Sequence, residues 1–214
     1  LIVDATLVFR GSGPNRTWKP KNYEGKFHRP TMLRKAFAKS LNLVTIRILE
    51  DIGVDYAIGY ARKLGITSDI ERNLSIALGS SGVSVLELTA AYAVFNNLGH
   101  YQPPIFIRKI LDRDGREIEV NAPKKEKVMD AATAYLMTSL MESVVKEGTG
   151  QRVLALERPV AGKTGTTNDL LDAWFIGFTP EYVTGTWVGF DDERSLGRGE
   201  TGSKAAIPIW LAYM

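Results

Sequence analysis

The sequence predicts an α+β fold, an antiparallel sheet packed with a helical subdomain, and three observations point to it. From Pro30 to Gly148 apolar residues recur every three to four positions, the period of amphipathic helices. After Gly150 the period falls to two. The three strand-like runs that follow, 160–166, 173–178 and 183–190, are joined by short turns and so form an antiparallel meander.

Taken in order, residues 1–9 read as an extended, strand-like segment, and 11–26 as a loop rich in Gly, Pro and Asn. With no initiator Met and an immediate apolar run, the N-terminus is expected to be a cut rather than a start. Helical spacing then places Leu33, Ala36, Phe37 and Ser40 on one stripe, which predicts that Ser40 faces the core. A second helix follows with Leu41, Thr45, Ile48 and Ile52 as its stripe, ended by Gly53. A third covers 56–64, with Gly65 in the position that closes a helix.

Ser84 and Glu87 form a capping-box pair, opening a helix that carries Leu88, Ala91, Tyr92 and Phe95 on one face and stops at Gly99. Residues 105–120 read as a hairpin around Asp114-Gly115. Asp130 caps a long helix that ends near Gly148-Thr149-Gly150. The last stretch, 205–213, makes a closing helix if Pro208 falls in its first turn. Neither a repeat nor a linker divides the 214 residues, which are expected to belong to one domain.

Composition removes several kinds of chemistry. The chain has no cysteine, so thiolate catalysis and cysteine metal sites are excluded. Its two histidines, His28 and His100, lack partners at metal-ligand spacing, and neither lies near a nucleophile elbow. No metal or cofactor is expected. A net charge of +3 with scattered basic residues argues against nucleic acid. No apolar run is long enough to span a membrane. Chemistry is left to Ser, Lys, Thr and Asn.

The stretch VAGKTGTTNDLLDAWFIGF (160–178) sets a lysine, a glycine and several hydroxyls together, an anion cradle. A phosphate-binding loop needs another glycine five positions before Gly162, where Glu157 stands, and a helix after Lys163, where a strand pattern follows. The remaining reading is a carboxylate held against a strand. Alternation puts Lys163 and Gly165 on one face and Thr164 on the other, with the side of Gly165 open to a ligand. Ser40-Leu41-Asn42 adds a hydroxyl and an amide two residues apart at a helix junction.

These residues, in this order, resemble the transpeptidase domain of class A penicillin-binding proteins, the bifunctional peptidoglycan synthases. That family carries Ser-x-x-Lys, a Ser-x-Asn element and Lys-Thr-Gly. Ser40-Leu41-Asn42 matches the second element and Lys163-Thr164-Gly165 the third. The stretches NYEGKFHRPTMLRKAFAKSLN, LELTAAYAVFNNLG, VVKEGTG, DAWFIGFTP and AAIPIW extend the likeness over the whole chain.

The resemblance implies the penicillin-binding and serine β-lactamase-like fold, and a serine D,D-transpeptidase that crosslinks peptidoglycan stem peptides through an acyl-enzyme and is inhibited by β-lactams. It implies Ser40 as proton relay, Asn42 as ligand of the substrate amide, and Lys163 as anchor of the terminal carboxylate. Thr164 and Thr166 become carboxylate ligands beside Gly165, and the Thr166 N–H one half of an oxyanion hole. A serine β-lactamase-like hydrolase and a non-catalytic penicillin-binding scaffold are the alternatives.

The family's nucleophile motif precedes the Ser-x-Asn element, and residues 1–39 do not supply it. The one Ser-x-x-Lys match is Ser143 with Lys146; 11 serines and 13 lysines make about one such pair by chance. Ser143 also falls at the negative end of its helix dipole, wrong for a developing alkoxide. The chain is therefore expected to lack the N-terminal strands and the Ser-x-x-Lys helix, and to be inactive alone. An N-terminal fragment of the same protein would be its partner, and without it the stripe of Leu33, Ala36 and Phe37 would meet water. The implied location is extracytoplasmic, anchored by an upstream membrane segment.

Overall fold

The computed structural model describes residues 1–10, 17–192 and 194–214. Four short strands open the chain: β1 (Ile2–Asp4), β2 (Phe9–Arg10), β3 (Thr17–Trp18) and β4 (Arg29–Thr31). They pair antiparallel, β1 with β4 and β2 with β3. The expected loop at 11–26 thus contains a strand, while its residues 11–16 lie outside the described residues. Helices α1 (Leu33–Lys39), α2 (Asn42–Ile52) and α3 (Val54–Lys63) follow, then a 3-10 turn at Leu74–Leu78 and α4 (Val85–Asn96). Helix α3 starts two residues earlier than the pattern indicates and ends at Gly65 as expected, with Ile66 N–H on Ala61 O and Gly65 N–H on Arg62 O.

The next segment holds β5 (His100–Tyr101), β6 (Lys109–Leu111), β7 (Glu117–Val120) and β8 (Glu126–Lys127), with β6 and β7 forming the hairpin around Asp114-Gly115. Helix α5 (Ala131–Glu147) leads to the meander β9 (Ala161–Thr166), β10 (Ala173–Phe178) and β11 (Val183–Val188). A π turn at Gly202–Ala206 and α6 (Ile207–Tyr213), with Pro208 in its first turn, close the chain.

In the meander β10 is central, between β9 and β11. The register sets Ile176 opposite Lys163 and Gly185, and Phe175 opposite Thr164 and Thr186. Directly opposed residues share a face of the sheet. Lys163 and Ile176 therefore face the side where Met141, Ala161 and Phe178 pack with Phe37, Tyr92 and Phe95 from α1 and α4. On the other side Phe175 meets Trp210 edge-on at 5.2 Å, within a core of Val145, Val153 and Ile207. Because both faces are covered, β10 is buried almost throughout rather than at alternate residues.

Helix α2 departs from its expected stripe. Its buried residues are Leu43, Val44, Ile46 and Leu49, while Thr45 and Ile52 are exposed. Leu7, between β1 and β2, Phe9 of β2 and Trp18 of β3, with Ala77 and Leu78 of the 3-10 turn, cover Leu43 and Ile46, and these distant contacts turn the helix. The start of α2 has no side-chain cap of its own, since Leu41 stands there. Asn22 supplies one: its Oδ1 accepts the Leu43 N–H at 3.2 Å, while its Nδ2 donates to both carboxylate oxygens of buried Asp4 at 2.9 Å. Asp4 also accepts the His28 N–H at 2.7 Å. Of the stripe expected to meet water, only Leu33 does; Ala36 is buried and Phe37 packs beneath α4 and α5.

The capping box at α4 is present, and it does more than cap. Glu87 accepts from the hydroxyls of Ser68 and Thr67 and from their N–H groups at 3.1 and 2.8 Å, as well as from the Ser84 N–H. The Ser68 and Thr67 hydrogen bonds hold its carboxyl well below the usual carboxylate range. With its pKa depressed, Glu87 contributes stability that is present above the ordinary glutamate pKa and lost only as pH falls through the lowered value. Glu87→Ala keeps the Ser84 cap on the backbone N–H but removes the reciprocal half of the box and unties 67–68. We expect a loss of about 1–2 kcal/mol, read as a lower midpoint in urea denaturation of the complete protein.

Candidate active site

Helix α1 ends one residue before Ser40, and Ser40 itself adopts the left-handed conformation, φ 55° and ψ 50°. It therefore leaves the core-facing stripe on which helical periodicity places it and is only half-buried. A left-handed non-glycine residue costs of order 1–3 kcal/mol and persists only where its surroundings over-determine it. Here the Ser40 N–H bonds Phe37 O, and the Leu41 N–H bonds Ala36 O at 2.9 Å. The turn swings Ser40 Oγ to the end of β9.

There Lys163 Nζ donates to Ser40 Oγ at 2.8 Å and to Thr164 O at 3.0 Å. An ammonium has three donors and no acceptor. Ser40 therefore accepts this bond and keeps its own hydroxyl hydrogen for another partner, while Lys163 keeps its third N–H. The Phe37 ring lies 6.0 Å from Nζ, at the limit of a cation–π contact. Burial pulls the Lys163 ammonium down from 10.5 to about 8.

Asn42 opens α2 two residues on, and its Nδ2 donates to Lys21 O at 2.9 Å, which fixes the amide plane and leaves the second amide hydrogen. Thr164 Oγ1 lies 2.5 Å from Thr149 Oγ1. Thr166 Oγ1, at the end of β9, accepts the Gly202 N–H at 3.0 Å. Ser40 and Lys163 are thus joined directly and Thr164 is joined to Thr149, while Asn42 and Thr166 bond Lys21 and Gly202.

At Gly165 a β-carbon would lie 3.0 Å from Trp174 Cβ, its cross-strand partner, so sheet packing also favours a glycine there. Among the described residues no strand pairs with the outer edge of β9, so that edge is where an extended chain can be added.

Thr149 escaped the sequence reading as a site residue, though Gly148-Thr149-Gly150 marks the end of α5. Its N–H donates to Ala38 O at 3.2 Å, so one residue touches both α1 and β9. Gly148 makes this approach possible, because a β-carbon on it would stand 2.2 Å from Ala38 O. Ser143 lies elsewhere: buried in α5, its Oγ accepts from Arg34 at 2.8 Å and donates to Ser139 O at 3.3 Å. Lys146 is exposed and paired with Glu142 at 2.7 Å. Among the described residues no cluster of His, Asp or Glu is arranged to hold a metal ion, and no helix is long and apolar enough to cross a membrane.

The penicillin binding protein transpeptidase domain family model matches residues 2–207. Penicillin-binding protein 1A of Pseudomonas aeruginosa is 38% identical over all of this chain and 32% of that protein. The protein of the same name from Aquifex aeolicus is 44% identical over 92% of this chain and 27% of that protein. The chain thus spans about a third of the length of the curated relatives it matches. Among solved structures, penicillin-binding protein 1A of Haemophilus influenzae superposes with a TM-score of 0.94 at 30% identity, over 100% of this chain and 38% of that one. PonA1 of Mycobacterium tuberculosis, in complex with penicillin V, gives 0.83 at 25% identity, over 99% of this chain and 61% of that one. The expected penicillin-binding fold is met, and these relationships favour neither the β-lactamase-like nor the scaffold alternative.

The lowered lysine carries a sign that can be checked. Its folded value, about 8, lies below its ordinary 10.5. Between those values the unfolded chain holds more protons, so stability rises with pH through the window, and the desolvation penalty is present in full below it. Ser40→Ala removes the acceptor that favours the charged form and is expected to lower the Lys163 midpoint further. Side-chain NMR titration of the lysine Nζ in the complete protein measures both.

Proposed function

The chain belongs to the penicillin-binding protein transpeptidase family, and on that premise we propose that residues 1–214 form the larger part of one transpeptidase domain. Its site binds the terminal carboxylate of a peptidoglycan stem peptide and relays a proton to the leaving D-alanine. The observation that carries this reading is the bond from Lys163 Nζ to Ser40 Oγ, 2.8 Å long between residues 123 apart in sequence. A solvated lysine on a surface strand has no reason to be buried against a serine in a strained backbone conformation.

The reaction is acyl transfer through a serine ester. A serine nucleophile attacks the carbonyl carbon between the two D-alanines, the C–O bond forms, and the C–N bond to the terminal D-alanine breaks. The proton lost by the nucleophile is the proton gained by the leaving amine. Ser40 relays it, giving its own hydroxyl hydrogen to the amine and taking the other in exchange, while Lys163 holds its oxygen in place. An amine of a second stem peptide then attacks the ester by the reverse path and completes the crosslink.

Lys163 holds the substrate carboxylate with its third N–H, and the hydroxyls of Thr164 and Thr166 add charge-assisted hydrogen bonds. The Thr166 N–H serves as one oxyanion donor. Asn42 gives its second amide hydrogen to the stem-peptide carbonyl as the peptide lies along β9. β-Lactams, which carry a carboxylate beside a strained amide, enter the same site and acylate the same serine.

The nucleophile comes from outside these 214 residues. Ser143, the one Ser-x-x-Lys candidate, is occupied by Arg34 and Ser139 within α5. A segment of the same protein bearing the serine completes the site, and without it this chain is inactive. The complete protein works outside the cytoplasm, anchored at the membrane by another segment.

The test is acylation of the complete protein by labelled penicillin. Lys163→Ala loses a charge-assisted contact of about 1.5–3 kcal/mol and is expected to slow acylation some ten- to hundredfold. A wild-type rate would sink the cradle. Ser40→Ala is expected to slow acylation and deacylation alike, by about 10²–10⁴ for a general acid–base group. Asn42→Ala should chiefly impair peptide crosslinking, and unimpaired crosslinking in both variants would reduce the pair to a helix junction.

A further inference from the structure

Two hydroxyls face each other across the end of α5 and the edge of the sheet: Thr149 Oγ1 and Thr164 Oγ1, at 2.5 Å. Among the described residues neither makes another side-chain hydrogen bond. Each hydroxyl carries one hydrogen and can accept as well. In such a pair one donates and the other keeps its hydrogen for a third partner. A carboxylate, which only accepts, selects the arrangement in which Thr149 donates to Thr164 and Thr164 donates to the carboxylate. Consecutive bonds of this kind polarise one another and strengthen the last.

The backbone of Thr149 is fixed independently of its hydroxyl. Its N–H bonds Ala38 O at 3.2 Å, and Gly148 brings the α5 turn so close to α1 that a β-carbon would stand 2.2 Å from that oxygen. The Thr149 hydroxyl is thus presented to β9 from a turn bonded to Ala38, which stands two residues before the strained Ser40.

We infer that Thr149 is a positioning residue for carboxylate recognition, orienting the Thr164 hydroxyl so that its hydrogen points at the substrate's terminal carboxylate. The inference rests on the reading of Lys163 and Thr164 as a carboxylate cradle. It separates two roles for the Gly148-Thr149-Gly150 turn: the backbone fastens helix to helix, and the hydroxyl serves the ligand.

The experiment compares penicillin G with its methyl ester, which keeps the β-lactam and lacks the charge, as acylating agents of the complete protein. Thr149→Val is expected to lower the second-order acylation rate about tenfold toward the acid and to leave the slower reaction of the ester unchanged. Thr149→Ser, which restores the hydroxyl, should recover most of the loss. Thr164→Val should show the same selectivity, and the double variant should lose no more than the worse single one, as expected for residues acting through one bond. Thr149→Ala repeats the comparison with a smaller side chain should the valine prevent folding.

Equal losses toward acid and ester would assign Thr149 to packing and overturn the inference, as would additive losses in the double variant or a wild-type rate toward the acid. Lys163→Ala, measured alongside, separates the two levels. If it loses its preference for the acid while Thr149→Val does not, the cradle stands and Thr149 has no part in it. If Lys163→Ala keeps that preference, the cradle itself falls.

Discussion

Ser40 and Lys163 lie 123 residues apart, and the hydrogen bond between them requires two elements with no direct chain connection to be held in register within tenths of an ångström. The end of α5 does the holding. It bonds α1 through the backbone at Ala38 and β9 through a side chain at Thr164, so the helix end that presents Ser40 and the strand that presents Lys163 share one abutment. The arrangement depends on the absence of a side chain at Gly148 more than on any group that is present. With the abutment in place, the left-handed turn at Ser40 is a small cost spread over several backbone bonds. Remove it, and only the two local bonds, from Ser40 N–H to Phe37 O and from Leu41 N–H to Ala36 O, would hold the serine in that conformation.

Burial gives the lysine two characters at once. Desolvation brings its pKa to about 8, so at neutral pH it remains charged but has lost much of its preference for the proton. Such a group can anchor an anion and still lend itself to a proton relay, because neither state is far from the other in free energy. A solvated lysine would manage only the first. The two sheet faces explain how burial is achieved without isolating the ammonium: Lys163 projects among the aromatic and apolar residues between sheet and helices, yet its tip reaches a serine and a carbonyl oxygen.

Much of this was legible in the sequence, and what was legible was local. The Ser84–Glu87 box, the Asp130 cap, the Gly65 stop, the hairpin at Asp114-Gly115 and the alternation along β9, β10 and β11 are all written within a few residues of where they act. Lys163 and Ser40 are related in the sequence only by short motifs that match a known family, since no periodicity links residues so far apart. What escaped was decided by partners elsewhere. The face of α2 was set by strands whose position the helix does not encode. The tight approach of Trp174 to Gly165 comes from across the sheet. Thr149 looked like punctuation at a helix end because its hydroxyl's partner lies on a strand 15 residues on.

The cap that Asn22 lends to α2 makes the start of that helix depend on the first strands. A helix with its own capping residue can begin forming as soon as its turn is available, but α2 begins at Leu41 and Asn42 with its first donors unmet. They are met only when the segment around Asn22 has folded back, and that segment is in turn tied by Asp4 to β1. The first turn of α2 is therefore held by a side chain from outside the helix, and that side chain is itself fixed to β1. Asn42 is held by Lys21 O from the same segment. A change that loosens β1 or the Asn22 segment would thus loosen the Asn42 amide as well, without touching α2 itself.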